Sequence, residues 1–162
     1  PRDTKGHSVP RRRTALSGGV ERIPDAQAQA EKRTAEMWAE DTASKAMGMA
    51  LVEVGPGRAV MTMRVREDMV NGHGTLHGGL TFAFADSVFA FAANSYDYQA
   101  VGVQCDIVYH APGRLGDLLI GTGTEVTRAG RSGLYDVAVR REDGTLIASF
   151  RGTSRIVVPR RG

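Results

Sequence analysis

The 162-residue chain holds one cysteine, Cys105. No internal disulfide can form, and a lone thiol fits a reducing compartment such as the cytoplasm. Long apolar runs are also missing. The nearest approach, Gly78 to Asn94, is interrupted by Thr81, Asp86 and Ser87 and is too short and too polar for a membrane span. No basic-then-apolar pattern opens the chain, so no secretory leader is expected. Neither a Gly-x-Ser-x-Gly elbow nor a phosphate-binding loop occurs, which removes two common catalytic frameworks.

Uniform basicity is absent too. The net charge of +3 arises in residues 1–35, where eight Lys/Arg stand against four Asp/Glu; the remainder has thirteen against fourteen. The excess therefore belongs to a polar leading segment carrying Arg11-Arg12-Arg13 and Ser17-Gly18-Gly19. With no hydrophobic period, residues 1–26 read as a disordered basic extension, a solvated tail in preference to a nucleic-acid-binding arm. Residues 27–162 read as one folded domain, of a size that can bury a core. Neither nucleic acid nor membrane is expected as a partner.

What is present is patterned. Residues from about Gln27 to Met47 favour helix, and Asp41 or Thr42 is placed to cap a short final helix ending at Gly48. The period then shortens to two. Met49–Val54 and Arg58–Arg66 read as strands joined at Gly55-Pro56-Gly57. A glycine-rich loop, Asn71 to Gly79, leads into the apolar helix. Beyond it Val101, Val103, Cys105, Ile107 and Tyr109 fall on one apolar strand face, which makes Cys105 a core residue. Leu118–Val126, Gly133–Arg140 and Leu146–Val158 form three more strands, with turns at Ala129–Ser132 and Glu142–Gly144. Strands and helices do not alternate, so an α+β fold with an antiparallel sheet is expected. A helix apolar on nearly every side must be covered all round, and one sheet does this by curling around it. That is the hotdog arrangement.

The chemistry concentrates between Asn71 and Ser87. Asp86 has Phe82, Ala83, Phe89 and Ala90 as helical neighbours, so its carboxylate loses hydration. A structural hydrogen-bonding role and a catalytic one fit that position equally. Desolvation raises basicity, as a general base or nucleophile requires. His77-Gly78-Gly79 lies at the helix amino-terminus, where unpaired N–H groups and the helix dipole favour an oxygen gaining negative charge. Glycines that merely permit a tight turn would look the same. His73 and His77 have a metal-pair spacing, but they sit in a loop and lack a third ligand motif, so no metal is expected.

The run Asn71-Gly-His-x-x-x-His77-Gly78-Gly79, followed by Phe82, Ala85-Asp86 and Phe89, resembles the motif of the phenylacetate-degradation hotdog thioesterases. The similarity extends from about Met37 to Val157 and includes Ala111-Pro112-Gly113, Gly116-Asp117 and Phe150-Arg151-Gly152. The resemblance implies hydrolysis of aryl- or acyl-CoA thioesters, of phenylacetyl- or hydroxyphenylacetyl-CoA type, without metal or cofactor. It implies that Asp86 activates water or attacks directly, that the Gly78 N–H polarises the thioester carbonyl, and that Asn71 and His77 help position it. Some relatives place a serine on the strand after the helix to hold the water. Gly102 stands there in this chain, which leaves that role to Gln104 or to no residue.

Gly78 and Asp86 are eight residues apart, about 12 Å along one helix. A reacting carbonyl must lie roughly 3 Å from both the oxyanion donor and the attacking group. One helix cannot supply both. The expected site is therefore shared, with Asn71, His77 and Gly78 from one subunit and Asp86 from a two-fold partner, in a homodimer or a homotetramer built as a dimer of dimers. The competing reading is a non-catalytic acyl-CoA sensor whose basic arm binds nucleic acid. A sensor has no need of a desolvated carboxylate beside an oxyanion donor. A hotdog hydratase would pair Asp and His on one short loop, and no such pair is evident.

Overall fold

The computed structural model describes residues 25–159. The extension expected over residues 1–26 lies, except for its last two residues, outside the described residues. Helix α1 runs from Ala26 to Glu40, with Asp25 as its N-cap accepting from the Gln27 amide. Helix α2, Thr42–Ala46, follows at once, and the Asp41 side chain caps it through the Ser44 amide at 2.9 Å. Strands β1 (Met49–Gly55) and β2 (Arg58–Arg64) form a hairpin. Then come α3 (Gly78–Ala93), β3 (Tyr98–Tyr109), β4 (Leu118–Ala129), β5 (Ser132–Arg141) and β6 (Leu146–Pro159). All pairings are antiparallel and the sheet order is β1-β2-β4-β5-β6-β3. The element order read from periodicity is the one found. A short 3-10 turn, Glu67–Met69, and a bridge between Val70 and Leu76 are additions.

The core lies between α3 and the concave face of the sheet. Ala59, Met61 and Met63 of β2, Leu119 of β4, and Tyr135, Val137 and Val139 of β5 point inward at alternate positions against Phe84, Val88, Phe89 and Phe91 of α3. Close approach of helix and sheet depends on Gly121, where a Cβ would meet Val88 Cγ2 at 2.7 Å. The sheet does not enclose the helix completely. Phe82, Ala83, Asp86, Ser87 and Ala90, which recur at helical spacing, are only half-buried. Helices α1 and α2 run beside this open stripe. Arg33 pairs with Asp97 just past α3, Trp38 packs on Phe91 with centroids 5.8 Å apart, and Ser44 shares a 3.0 Å hydrogen bond with Ser87.

Strand β3 departs from expectation. The register with β6 shifts between Gly102 and Gln104, a bulge that adds one residue and reverses which side chains face inward. Cys105 and Ile107 are half-buried, whereas Val101 is 43% and Val103 54% exposed. The five residues expected on one apolar face are thus divided by the bulge. β3 is also an edge strand, so one side of its ladder has no strand partner among the described residues.

Candidate active site

The loop before α3 is held by its own side chains. The Asn71 Oδ1 accepts from the backbone amides of His73 (2.9 Å) and Thr75 (3.3 Å) and from the Thr75 hydroxyl (3.3 Å). The His77 amide donates to the Met69 carbonyl at 2.9 Å, and the Leu76 amide to the Gly113 carbonyl at 2.9 Å. These bonds deliver residue 77 to the start of the helix.

His77 then serves as N-cap. Its Nδ1 accepts from the Gly79 amide at 3.0 Å, which places the proton of the neutral ring on Nε2. The His77 carbonyl accepts from Leu80 (3.0 Å) and Thr81 (3.1 Å). Among the amides of this first turn, Gly78 alone has no acceptor within the described residues. One N–H is left pointing out of a helix amino-terminus, with the dipole behind it. Tyr109 closes the same corner: its hydroxyl donates to the Gly78 carbonyl at 2.9 Å, and its ring lies 3.3 Å from where a Cβ on residue 78 would sit. A Cβ at 78 would therefore press on the tyrosine ring, which would have to give by a few tenths of an ångström. The cleft at this corner, about 330 Å³, is lined by Gly78, Thr81, Tyr109, His110 and Pro112 among others.

Asp86 stands two turns along α3 in a second cleft, of about 460 Å³. Burial pushes its carboxyl above the ordinary carboxylate range, and a hydrogen bond from the Cys105 thiol, with Sγ 3.8 Å from Oδ1, partly opposes that rise. Cys105 packs against the core, as expected, and is in addition a neighbour of the candidate carboxylate. Burial first, and the charge of Asp86 next, push its thiol up to about 11, so it stays protonated. Gly102 and Gln104 line the same cleft, and the ring of Phe89 lies 3.1 Å from the Cβ position of residue 102. Phe82 packs edge-on against Phe150, and Tyr96 stacks on Tyr98 beneath Arg128, outside both clefts.

The structure thus places His77 and Gly78 at one corner, with Asn71 holding the loop that leads to it, and leaves Asp86 apart. The two clefts share no lining residue. His73 is exposed on the loop, and among the described residues no three His, Cys, Asp or Glu side chains are grouped to hold a metal. No helix among them is long and apolar enough to cross a membrane. A free helix-terminal N–H and a desolvated carboxylate are the elements of acyl transfer to water: one steadies an oxyanion, the other activates the attacking oxygen or supplies it.

A thioesterase superfamily model matches residues 73–148, which span both groups. The chain is 37% identical over 118 residues to the acyl-coenzyme A thioesterase PaaI of Escherichia coli, covering 73% of this chain and 84% of that protein. The chain belongs to the thioesterase superfamily. As a thioesterase it is a hydrolase, and its hotdog fold superposes on the solved structure of the Escherichia coli PaaI protein from the phenylacetic acid degradation operon. That superposition has a TM-score of 0.82 and covers 83% of this chain and 98% of the other, at 33% identity over the longer alignment. Human acyl-coenzyme A thioesterase 13 is 32% identical over 112 residues, which are 67% of this chain and 79% of that one. The structure of smu.793 from Streptococcus mutans, bound to acetyl CoA, aligns with a TM-score of 0.67 at 26% identity over 70% of this chain and 91% of the other. In this thioesterase Cys105 and Tyr109 are the site neighbours that sequence reasoning missed, since strand parity gives their face but not the helix residues they meet.

Proposed function

We propose that this thioesterase hydrolyses acyl-CoA to free acid and CoA at a site shared between two subunits, with aryl esters of phenylacetyl- or hydroxyphenylacetyl-CoA type as substrates. The observation that carries the reading is the separation of two complementary groups, the free Gly78 N–H and the basic Asp86, into clefts that share no wall. A two-fold partner with its α3 antiparallel brings one chain's Gly78 to the other's Asp86. The unpaired edge of β3 with exposed Val101 and Val103, and the half-buried stripe of α3, are the surfaces such a partner covers. A dimer, or a dimer of dimers, is the proposed assembly. The named CoA-ester activities of the relatives, and the operon of the Escherichia coli protein, support the substrate class.

In the general-base route, Asp86 takes a proton from water as the water oxygen bonds to the thioester carbon. The carbonyl oxygen becomes an oxyanion and accepts from the Gly78 N–H. The C–S bond then breaks, and the proton passes from Asp86 to the departing CoA thiolate. In the nucleophilic route, the Asp86 carboxylate bonds to the carbonyl carbon directly as the C–S bond breaks, CoA leaves as thiolate and takes a proton from solvent, and water then cleaves the resulting anhydride to the free acid and the regenerated carboxylate. Asn71 and His77 act by fixing the loop and the cap that leave one amide free. Gly102 supplies no hydroxyl to hold water, and Gln104 is the polar side chain nearest that role. No metal or cofactor takes part, the protein works in the cytoplasm, and neither nucleic acid nor membrane is a partner.

Turnover of a panel of CoA esters, read as released thiol, tests this. Phenylacetyl- and hydroxyphenylacetyl-CoA are expected to lead short- and long-chain esters in kcat/KM. A panel in which no ester is cleaved overturns the reading. The pH profile carries a second expectation. Activity requires ionised Asp86, so kcat/KM should rise with pH through a limb above the ordinary carboxylate range. The Cys105 thiol holds that value down, so the limb in Cys105→Ala should move to higher pH.

A further inference from the structure

The cleft beside Asp86 has two walls and one visitor. Helix α3 contributes Asp86, Phe89, Ala90 and Ala93 at helical spacing, β3 contributes residues 100–105, and Met37 alone arrives from α1. The walls leave little room for adjustment. The alanines are short, and the ring of Phe89 is held on two sides, because Cβ positions at Gly102 and Gly152 lie 3.1 and 3.0 Å from it. Met37 is half-buried, long and unbranched, so of the side chains that this chain itself contributes it is the one that decides how far the cleft extends.

Its position is fixed by contacts on either side. Arg33, one turn before Met37, pairs with Asp97 beyond the end of α3. Trp38, the next residue, packs on Phe91, and Ser44 of α2 is bonded to Ser87 beside the catalytic carboxylate. The three contacts run in the opposite order along α3, at Asp97, Phe91 and Ser87, and Met37 reaches the cleft between the first and the second.

We propose that Met37 is the size-limiting residue of the acyl pocket, admitting aryl rings and medium chains and turning away long ones. The inference rests on Asp86 as the catalytic carboxylate, because that assignment makes the adjoining apolar cleft the place for the acyl group. An apolar cavity of about 150 Å³ holds benzene. The cleft, at about 460 Å³, takes a ring or a medium chain with room for the thioester. It spans about 12 Å from Asp86 to Asn94, two turns of helix. A sixteen-carbon chain does not fit in that length unless Met37 yields.

The test compares kcat/KM for palmitoyl-CoA and phenylacetyl-CoA in wild type, Met37→Ala, Met37→Trp and Met37→Leu. The palmitoyl-to-phenylacetyl ratio is expected to rise at least about tenfold in Met37→Ala, since single methylenes in such pockets change selectivity by 10- to 200-fold. It should stay within about twofold in Met37→Leu. Met37→Trp should depress phenylacetyl-CoA relative to acetyl-CoA. A loss of stability lowers all esters together and leaves each ratio intact, so selectivity that is unchanged in both Met37→Ala and Met37→Trp overturns the proposal. The same proteins are titrated with two uncleavable thioethers, S-hexadecyl-CoA and S-phenethyl-CoA. If no ester is turned over, the hydrolytic reading falls, and the thioether affinity ratio alone decides Met37. A comparable rise in Met37→Ala upholds its role, and a flat ratio overturns it.

Discussion

Asp86→Asn is expected to lower kcat by about 10³-fold on every ester the wild type cleaves, within the range for loss of a general base. It is also expected to melt at a higher temperature than wild type near pH 7. Both effects have one cause. Burial raises the carboxyl's pKa in the folded chain, so the fold favours the protonated form. A group with a raised folded pKa contributes stability that is complete below its unfolded value, about 4 for aspartate, and is lost as pH rises through the folded value. At neutral pH the native protein therefore holds an ionised Asp86 at a cost that the amide does not carry. The gap in melting temperature should narrow as the pH falls through the folded value and be smallest below about 4, where Asp86 is protonated in the folded and the unfolded chain alike. Melting curves over that range, beside kcat for the same samples, check the pair of outcomes. A variant that loses activity and stability together would mark Asp86 as a structural residue.

The parts of the molecule that follow from local period were legible in the sequence. The apolar stretch before Asn94 is a helix because nothing in it prefers a strand register, and the glycine-centred turns at Ala129–Ser132 and Glu142–Gly144 set the hairpins where they occur, with Gly130 and Gly144 at positive φ. The Asn71–Gly79 motif was legible as chemistry, but the division of labour within it was not. That His77 caps the Gly79 amide and leaves Gly78 free depends on distances that no spacing rule encodes. β3 was misread for a different reason. Alternation is a parity argument, and one bulge at Gly102–Gln104 reverses parity for everything beyond it. Cys105 and Tyr109 lie on the side alternation assigned them, whereas Val101, ahead of the bulge, and Val103, within it, are exposed. Met37 was hidden for a third reason: helix α1 crosses the cleft by tertiary contacts alone, from Arg33, Trp38 and, through α2, Ser44.

The second large effect is a recovery of activity. Asn71→Ala removes the side chain whose oxygen accepts three bonds within the loop, and so loosens the approach to the Gly78 amide. Asp86→Asn removes the carboxylate. Each homodimer then carries a defect in both of its sites. In a mixed dimer with shared sites, the two defects fall together in one site and the other site is intact. Random reassembly of equal amounts makes half the dimers mixed, so total activity should return to about one quarter of wild type. If each chain held a complete site of its own, no combination of the two variants would contain an intact one. The decisive measurement is therefore thiol release by the two inactive variants, unfolded together, refolded as a mixture and compared with each refolded alone. Recovery to about a quarter of wild-type turnover is the expected result. A mixture that contains mixed dimers, verified with distinguishable tags, and stays as inactive as its components would contradict the shared site.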